Sequence, residues 1–534
     1  MLFSIDYMIT LNSITKKVGT RLLFEDVTMT FNDGCHYGLT GPNGSGKSTL
    51  VKIIMKLEEP TSGSVSLPRK VGFLKQNIED FASQKVLHTV MMGNKRLWDA
   101  LAEREYLYEC EMTDEVGIRL GELEEVVAEE DGYAAESDAE VVLEGMGVPS
   151  PLWHEKMGVI PIDMQFRVML CQALFGSPPA LILDEPTNHL DLESIIWLGN
   201  FLRKYVGCLI VISHDRHFLN TVTTHIADID YETIILYPGN YDNMVLAKTS
   251  VRERAELENK AKEKKVAQLR EFVAKFGAGT RASQVQSRVR EIDRLQPTDL
   301  KKSNIQRPYV RFYPPEKPSG QLVFRLEDVY KSYNGPEVIR DFSLDVIRGD
   351  KIAVIGNNGR GKTTLLKMLA KIEEQNRGRI EVGHHVSIGY FPQNHADMID
   401  KSSSITIFDW LKDRREGVYD QDVRSILGKM LFGGDDAFKK VAHLSGGETA
   451  RLIIGGLMLC NHNVLILDEP NNHLDLEAVS ALGWALDEFK GTVLFASHDR
   501  DLINHGAKKI IAFEEEGIFP FEGSLDDYFA SRRT

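Results

Sequence analysis

Two stretches of this chain have the residue types and spacing of a phosphate cradle. Gly41-Pro42-Asn43-Gly44-Ser45-Gly46-Lys47-Ser48 fits G-x-x-x-x-G-K-[ST], and Gly356-Asn357-Asn358-Gly359-Arg360-Gly361-Lys362-Thr363 fits it again. Glycines let backbone N–H groups curl around phosphate oxygens, and the N-terminus of a following helix adds its partial positive charge. Lys47 and Lys362 are expected to reach the β- and γ-phosphates, and Ser48 and Thr363 to ligate Mg2+. Further nucleotide contacts are expected from Gly41, Asn43, Gly44, Gly46 and Thr49 in one copy, and from Gly356, Asn358, Gly359, Gly361 and Thr364 in the other.

Each cradle is followed by an apolar run ending in carboxylates, Leu181-Ile182-Leu183-Asp184-Glu185-Pro186 and Leu465-Ile466-Leu467-Asp468-Glu469-Pro470. Asp184 and Asp468 would hold Mg2+ directly or through water. Glu185 and Glu469 point elsewhere, as candidate bases that polarise the attacking water. His214 and His498 each lie 29 residues after those glutamates, placed to touch the γ-phosphate or orient the water. Gln76 and Gln393, 29 and 31 residues after the two lysines, are candidates for Mg2+ coordination and γ-phosphate sensing. Leu444-Ser445-Gly446-Gly447-Glu448 opens a helix, and its hydroxyl and N–H groups make an anion site that lacks a lysine. Two cradles with two Asp-Glu strands predict two ATP sites, Mg2+-dependent hydrolysis, and halves that clamp together.

Strands and helices must position these groups. The spacing predicts an α/β fold, a strand from Tyr37 to Thr40 entering the first cradle, and a helix with Leu50, Ile53, Ile54 and Leu57 leaving it. At 534 residues the chain is too long for one core. The repeat gives a first nucleotide domain over 1–245, a linker over 246–320 and a second nucleotide domain over 321–534. Lys47 to Glu185 spans 138 residues, against 107 from Lys362 to Glu469. The extra length falls in an acidic, helix-compatible stretch over about 87–148, read as a projecting arm.

The linker is chemically distinct. From Ala247 to Arg307 there are 16 Lys/Arg and 8 Asp/Glu, in a chain of net charge −15. Val266, Leu269, Val273 and Phe276, then Ala282, Val285, Val289, Ile292 and Leu295, recur at helical spacing on either side of Gly277-Ala278-Gly279. This predicts a basic helical hairpin, with Arg281, Arg288, Arg290 and Arg294 near the turn facing nucleic-acid phosphates. A solvated charged linker would have the same composition. Tyr313-Pro314-Pro315 then reads as a stiff, extended lead-in. No run approaches the roughly 20 apolar residues of a spanning helix. Five scattered cysteines show neither metal nor disulfide spacing and suit a reducing cytoplasm.

The order of P-loop, Gln, Leu-Ser-Gly-Gly-Glu, Asp-Glu-Pro and His resembles an ATP-binding-cassette protein. Two cassettes without a membrane span, and Asp184-Glu185-Pro186-Thr187-Asn188-His189-Leu190-Asp191, resemble the ABC-F family, with the YbiT-like subgroup nearest. The resemblance implies a head-to-tail cassette pair in a monomer, with two ATP molecules at its interface. It also implies binding to the ribosome near the tRNA exit site, with the hairpin reaching rRNA and tRNA. Each P-loop would face the other cassette's signature loop. Site one would join Lys47, Asp184, Glu185 and His214 to Ser445, Gly446, Gly447 and Glu448. Site two would set Lys362, Asp468, Glu469 and His498 against Ile160-Pro161-Ile162-Asp163-Met164, where the Ser and both glycines are absent. The base-stacking aromatic is Tyr333 in the second copy, and Val18 stands at its counterpart. These departures predict that site one turns over and that site two binds nucleotide with slow or no turnover. Competing readings are the ATPase subunit of a separate membrane transporter, or a DNA-maintenance or antibiotic-protection factor of the same family.

Overall fold

The computed structural model describes residues 8–532 except 20, 43, 75–77, 189, 231, 277–289, 291, 293–306 and 334. Two copies of one architecture follow each other. In the first, a six-stranded sheet has the order Val71–Phe73, Ala180–Asp184, Cys208–Ile212, His36–Thr40, His225–Asp230, Thr233–Pro238. Its pairings are parallel except for the last, which is an antiparallel hairpin. In the second, the order is Ile388–Phe391, Val464–Asp468, Thr492–Ala496, Lys351–Gly356, Lys509–Phe513, Ile518–Glu522, again with only the last pair antiparallel. A three-stranded antiparallel sheet accompanies each. The central strands are apolar on both faces because both faces are covered, as parallel sheets require. Leu181, Ile182 and Leu183 are buried, and so are Leu465, Ile466 and Leu467.

The fold places the chemistry at one end of each sheet. Strand His36–Thr40 ends at the first cradle, and helix Lys47–Ile54 follows with Leu50, Ile53 and Ile54 buried. Helix Lys362–Leu369 does the same after Lys351–Gly356. Asp184 and Asp468 close the neighbouring strands at the same end, the crevice outside the carboxyl ends where α/β sheets bind ligands.

Two elements differ from the sequence reading. The arm is narrower than 87–148. Only the antiparallel pair Lys95–Tyr108 and Asp114–Glu129 lacks a counterpart, since the second copy passes directly from Ile407–Lys412 to Asp420–Lys429. The flanking helices Val86–Met91 and Ala135–Gly145 pack into the first cassette's core, which is why periodicity alone could not separate them from the arm. The linker helix runs Tyr241–Phe276, so it starts inside the first cassette rather than at 246. Tyr241 and Met244 are buried there, and the charged composition that marks the linker begins only after they are packed. The turn at 277–279 and its arginines lie outside the described residues, apart from Arg290. The lead-in docks on the second cassette, where Phe312 meets Phe489 edge-on at 6.0 Å between centroids.

Candidate nucleotide-binding sites

The cradles are shaped by glycines that no other residue replaces without strain. Gly46 and Gly361 cap their helices with φ of 102° and 105°. A Cβ at Gly361 would lie 2.4 Å from Val338 Cγ1. Within each loop the lysine is curled onto its own backbone. Lys47 Nζ donates to the Gly41 and Pro42 carbonyls at 2.7 and 3.3 Å. Lys362 Nζ donates to those of Gly356 and Asn357 at 2.6 and 3.1 Å, and lies 3.2 Å from His498 Nε2. Burial lowers the pKa of both lysines against the opposing charges of Glu185 and Glu469. Phosphate oxygens would replace the carbonyls as acceptors and restore the favoured charge.

The carboxylates fit a cation. Thr363 Oγ1 donates to Asp468 Oδ1 at 3.2 Å, while the buried Asp468 Oδ2 has no hydrogen-bond partner. Burial pushes the Asp468 carboxyl up to about 6, which a divalent ion at that oxygen would reverse. Gln393 lines the same cleft. Asp184 is likewise raised by burial, and Ser48 hydrogen-bonds it. Ser45 Oγ is buried without a partner in the first loop, suited to donate to phosphate. Asn43 and Gln76 lie outside the described residues. Thr49 is half-buried in the first helix, and Thr364 receives the Tyr333 hydroxyl at 3.3 Å.

Glu and His are paired in both copies. Both glutamates sit at positive φ, 52° at Glu185 and 49° at Glu469, which turns them out of their strands. His214 Nε2 lies 3.2 Å from Glu185 Oε1, and His498 Nε2 lies 3.4 Å from Glu469 Oε1. The His214 amide also donates to Glu185 Oε2 at 3.3 Å. Burial and the neighbouring Asp charge push Glu185 up to about 7; burial pushes Glu469 up to the same value against the Lys362 charge. Burial, then the P-loop lysine, pushes both histidines down to about 3. The imidazoles are therefore neutral, and each carboxyl is poised near neutrality, the condition for a general base.

The two halves enclose one cleft of about 970 Å3. On one side Lys362, Thr363 and Tyr333 share it with Asp163 of the first cassette. On the other, Gly44, Glu185 and His214 share it with Ser445, Gly446, Gly447 and Glu448 of the second. The head-to-tail arrangement is thus present. The two signature loops differ locally. Ser445 caps helix Gly446–Cys460 in a reciprocal box: its amide donates to Glu448 Oε2 at 2.7 Å, and its hydroxyl accepts from the Glu448 amide at 3.3 Å. The cap of helix Ile162–Leu174 is Pro161, with no side-chain hydrogen bond. Asp163 occupies the position of Gly447, so a carboxylate replaces backbone N–H access.

Sequence reading missed Arg21, Asn472 and Asp475. Arg21 and Asn472 line the main cleft, and Asp475 lines a small cavity with Lys47. The repeat of Asn-His-Leu-Asp at 188–191 and 472–475 was the available signal for the last two.

A family profile described as ABC transporter matches residues 24–188 and 339–472, and a second of the same description matches 227–312. The chain is 40% identical over 530 residues to "Probable ATP-binding protein YbiT" of Escherichia coli O157:H7, covering 98% of this chain and 99% of that one. It is 31% identical over 539 residues to "Energy-dependent translational throttle protein EttA" of Haemophilus influenzae, covering 98% and 95%. Its fold is similar to a solved archaeal ribosome recycling factor in complex with a ribosomal stalk protein, with TM-score 0.60, 19% identity and coverage of 97% and 92%. Among the described residues no helix is long and apolar enough to cross a membrane. With both halves matched, relatives aligned end to end, and two ATP-binding cassettes facing each other, the chain belongs to the ABC-F family of tandem-cassette ATPases, in its YbiT-like subgroup.

Proposed function

We propose that this chain is a cytoplasmic, monomeric ATP-driven clamp that binds the ribosome near the tRNA exit site and modulates translation with nucleotide state. One observation carries the mechanism: the intact Ser445 box faces Glu185 and His214, whereas Asp163 faces Lys362. Mg2+ held by Ser48, Gln76 and Asp184, or by Thr363, Gln393 and Asp468, would supply charge neutralisation of the phosphates. Lys47 leaves its loop carbonyls for the phosphates, and the Ser445 hydroxyl and Gly447 amide close on them from the other cassette. Glu185 takes the proton of the attacking water, and His214 holds its position. At the second site Lys362, Glu469 and His498 repeat these roles, but Asp163 opposes a γ-phosphate with like charge. The translational reading draws on the basic linker and on the throttle-protein relative.

Co-sedimentation with ribosomes should require ATP in a Glu185→Gln/Glu469→Gln variant and weaken steeply with salt, as phosphate contacts do. ATP-dependent association with membrane vesicles instead would favour a transporter partner. Replacing Asp163 by Ser should tighten nucleotide at site two several-fold, read in a Lys47→Ala background; unchanged affinity would show that Asp163 points away from the phosphates. Val18→Tyr should tighten site one by about fivefold, since base–aromatic stacking contributes ~1 kcal/mol or more. Fluorescent-ATP titration in a Lys362→Ala background reads it.

A further inference from the structure

The strand that feeds the first phosphate loop is wired to the linker helix by buried charge. Thr40, one residue before Gly41, pairs with Asp228 in the neighbouring strand. Thr40 Oγ1 donates to Asp228 Oδ1 at 3.2 Å. Asp228 Oδ2 accepts from Lys248 Nζ at 2.7 Å, and Lys248 also reaches Asp230 Oδ2 at 2.5 Å. Both aspartate side chains are 0% exposed. Lys248 lies in the second turn of the linker helix Tyr241–Phe276. Asp228 and Lys47 also line one small cavity, together with Tyr241, Asp475 and Glu477.

The second cassette is an internal control. Its matching pair of strand residues is Ile355 and Ala512, so the link to the phosphate loop is apolar. The outer part persists, because Arg532 and Glu514 stand at the Lys248 and Asp230 positions and pair at 2.6 Å. The helix they serve, Leu525–Arg532, has eight residues, whereas its first-cassette counterpart is the 36-residue linker helix. A buried carboxylate costs desolvation, and the second cassette folds without it. The extra carboxylate occurs only where the helix continues into the linker. The linker also meets the second cassette at one point. Tyr241 donates its hydroxyl to Glu477 Oε1 at 3.3 Å, and Arg307, beyond the far end of the linker, pairs with Glu477 Oε2 at 3.4 Å.

We propose that Asp228 is a positioning residue that couples the first phosphate loop, and not the second, to the interdomain linker helix through Thr40 and Lys248. The coupling rests on the reading that site one binds nucleotide and the clamp closes. Phosphate at Lys47 shifts the strand end carrying Thr40; Asp228 follows, and Lys248 carries the shift into the helix. A purely structural triad would stabilise the first cassette and leave the response of the linker to ATP intact.

Hydrogen exchange on the full chain, in the Glu185→Gln/Glu469→Gln background with and without Mg·ATP, separates these. The linker-helix amides over 245–262 report coupling, and the loop at Ser445 reports closure. In the parent, ATP should change exchange at both by at least about fivefold, the low end of ordinary coupling. Thr40→Ile/Asp228→Ala, which copies the second cassette, should keep the change at Ser445 and lose it in the linker. Lys248→Met, which leaves the phosphate-loop strand untouched, should do the same. A linker response at parental size in either variant overturns the coupling alone. No ATP response at Ser445 in the parent overturns the clamp and the coupling with it.

Discussion

Glu185→Gln is expected to lower steady-state ATP turnover by about 10²-fold or more, the usual contribution of a general base, while Glu469→Gln leaves most of it. The difference cannot come from the glutamates themselves. Both are raised to about 7, both sit at positive φ, and both face a histidine held neutral near 3. It comes from what the opposite cassette brings. Glu185 shares its side of the cleft with a serine-capped helix N-terminus, whose amides stabilise negative charge. The second site receives a proline-capped helix with a carboxylate in its first turn. Phosphate release measured on each single variant decides the point, and equal losses would count against asymmetry. The double variant should bind ATP without turning it over and stay closed, since binding is retained and only the exit from the closed state is blocked. A smaller radius of gyration with ATP than without would show this.

Arg167→Met should destabilise the first cassette by about 3–5 kcal/mol, the effect of breaking a buried ion pair from one side. Arg167 is 2% exposed. Its guanidinium pairs with Asp191 at 2.5 Å and donates to the Met146 carbonyl and Ser194 Oγ, each at 2.8 Å. Asp191 also caps helix Leu192–Lys204, accepting from the Ser194 amide at 2.9 Å. Burial pushes the Asp191 carboxyl up, but the Arg167 charge and the hydrogen bonds outweigh it, so its pKa lies below the ordinary range. The pair therefore contributes its full stability above the unfolded carboxylate pKa and loses it as pH falls through the depressed folded value. In Arg167→Met only burial and the cap remain, the folded pKa rises, and the sign reverses. The deficit should then shrink on acidification from pH 7 to pH 5. Calorimetry of the first-cassette transition across that range checks both magnitude and sign. A deficit independent of pH would mean that Asp191 has found another cation.

The cradles, the Asp-Glu strand ends, the paired histidines and the altered loop at Ile160–Met164 were legible from identity and spacing, because each is contiguous and repeated. What escaped is of two kinds. Asp475 and Arg21 matter only once the cassettes face each other, and a single strand of sequence does not carry that juxtaposition. Thr40 and Asp228 are 188 residues apart and meet through sheet pairing. Asp228 and Asp230 alternate with apolar residues, as in a strand with one wet face. Here that face is covered by the linker helix, so the same pattern marks buried charge. The start of that helix was misplaced for a related reason, since its first turn is apolar and belongs to the cassette.

The shared seat at Glu477 gives the linker helix a fulcrum. Thirty-six helical residues measure about 54 Å, and Lys248 stands only about 10 Å from Tyr241 along that length. Acting as a stiff rod pivoting at Tyr241, the helix would magnify a 1 Å tug at Lys248 to about 5 Å at Phe276. A sub-ångström adjustment beside one phosphate would thus be geared up to a stroke wide enough to make or break a contact tens of ångströms away.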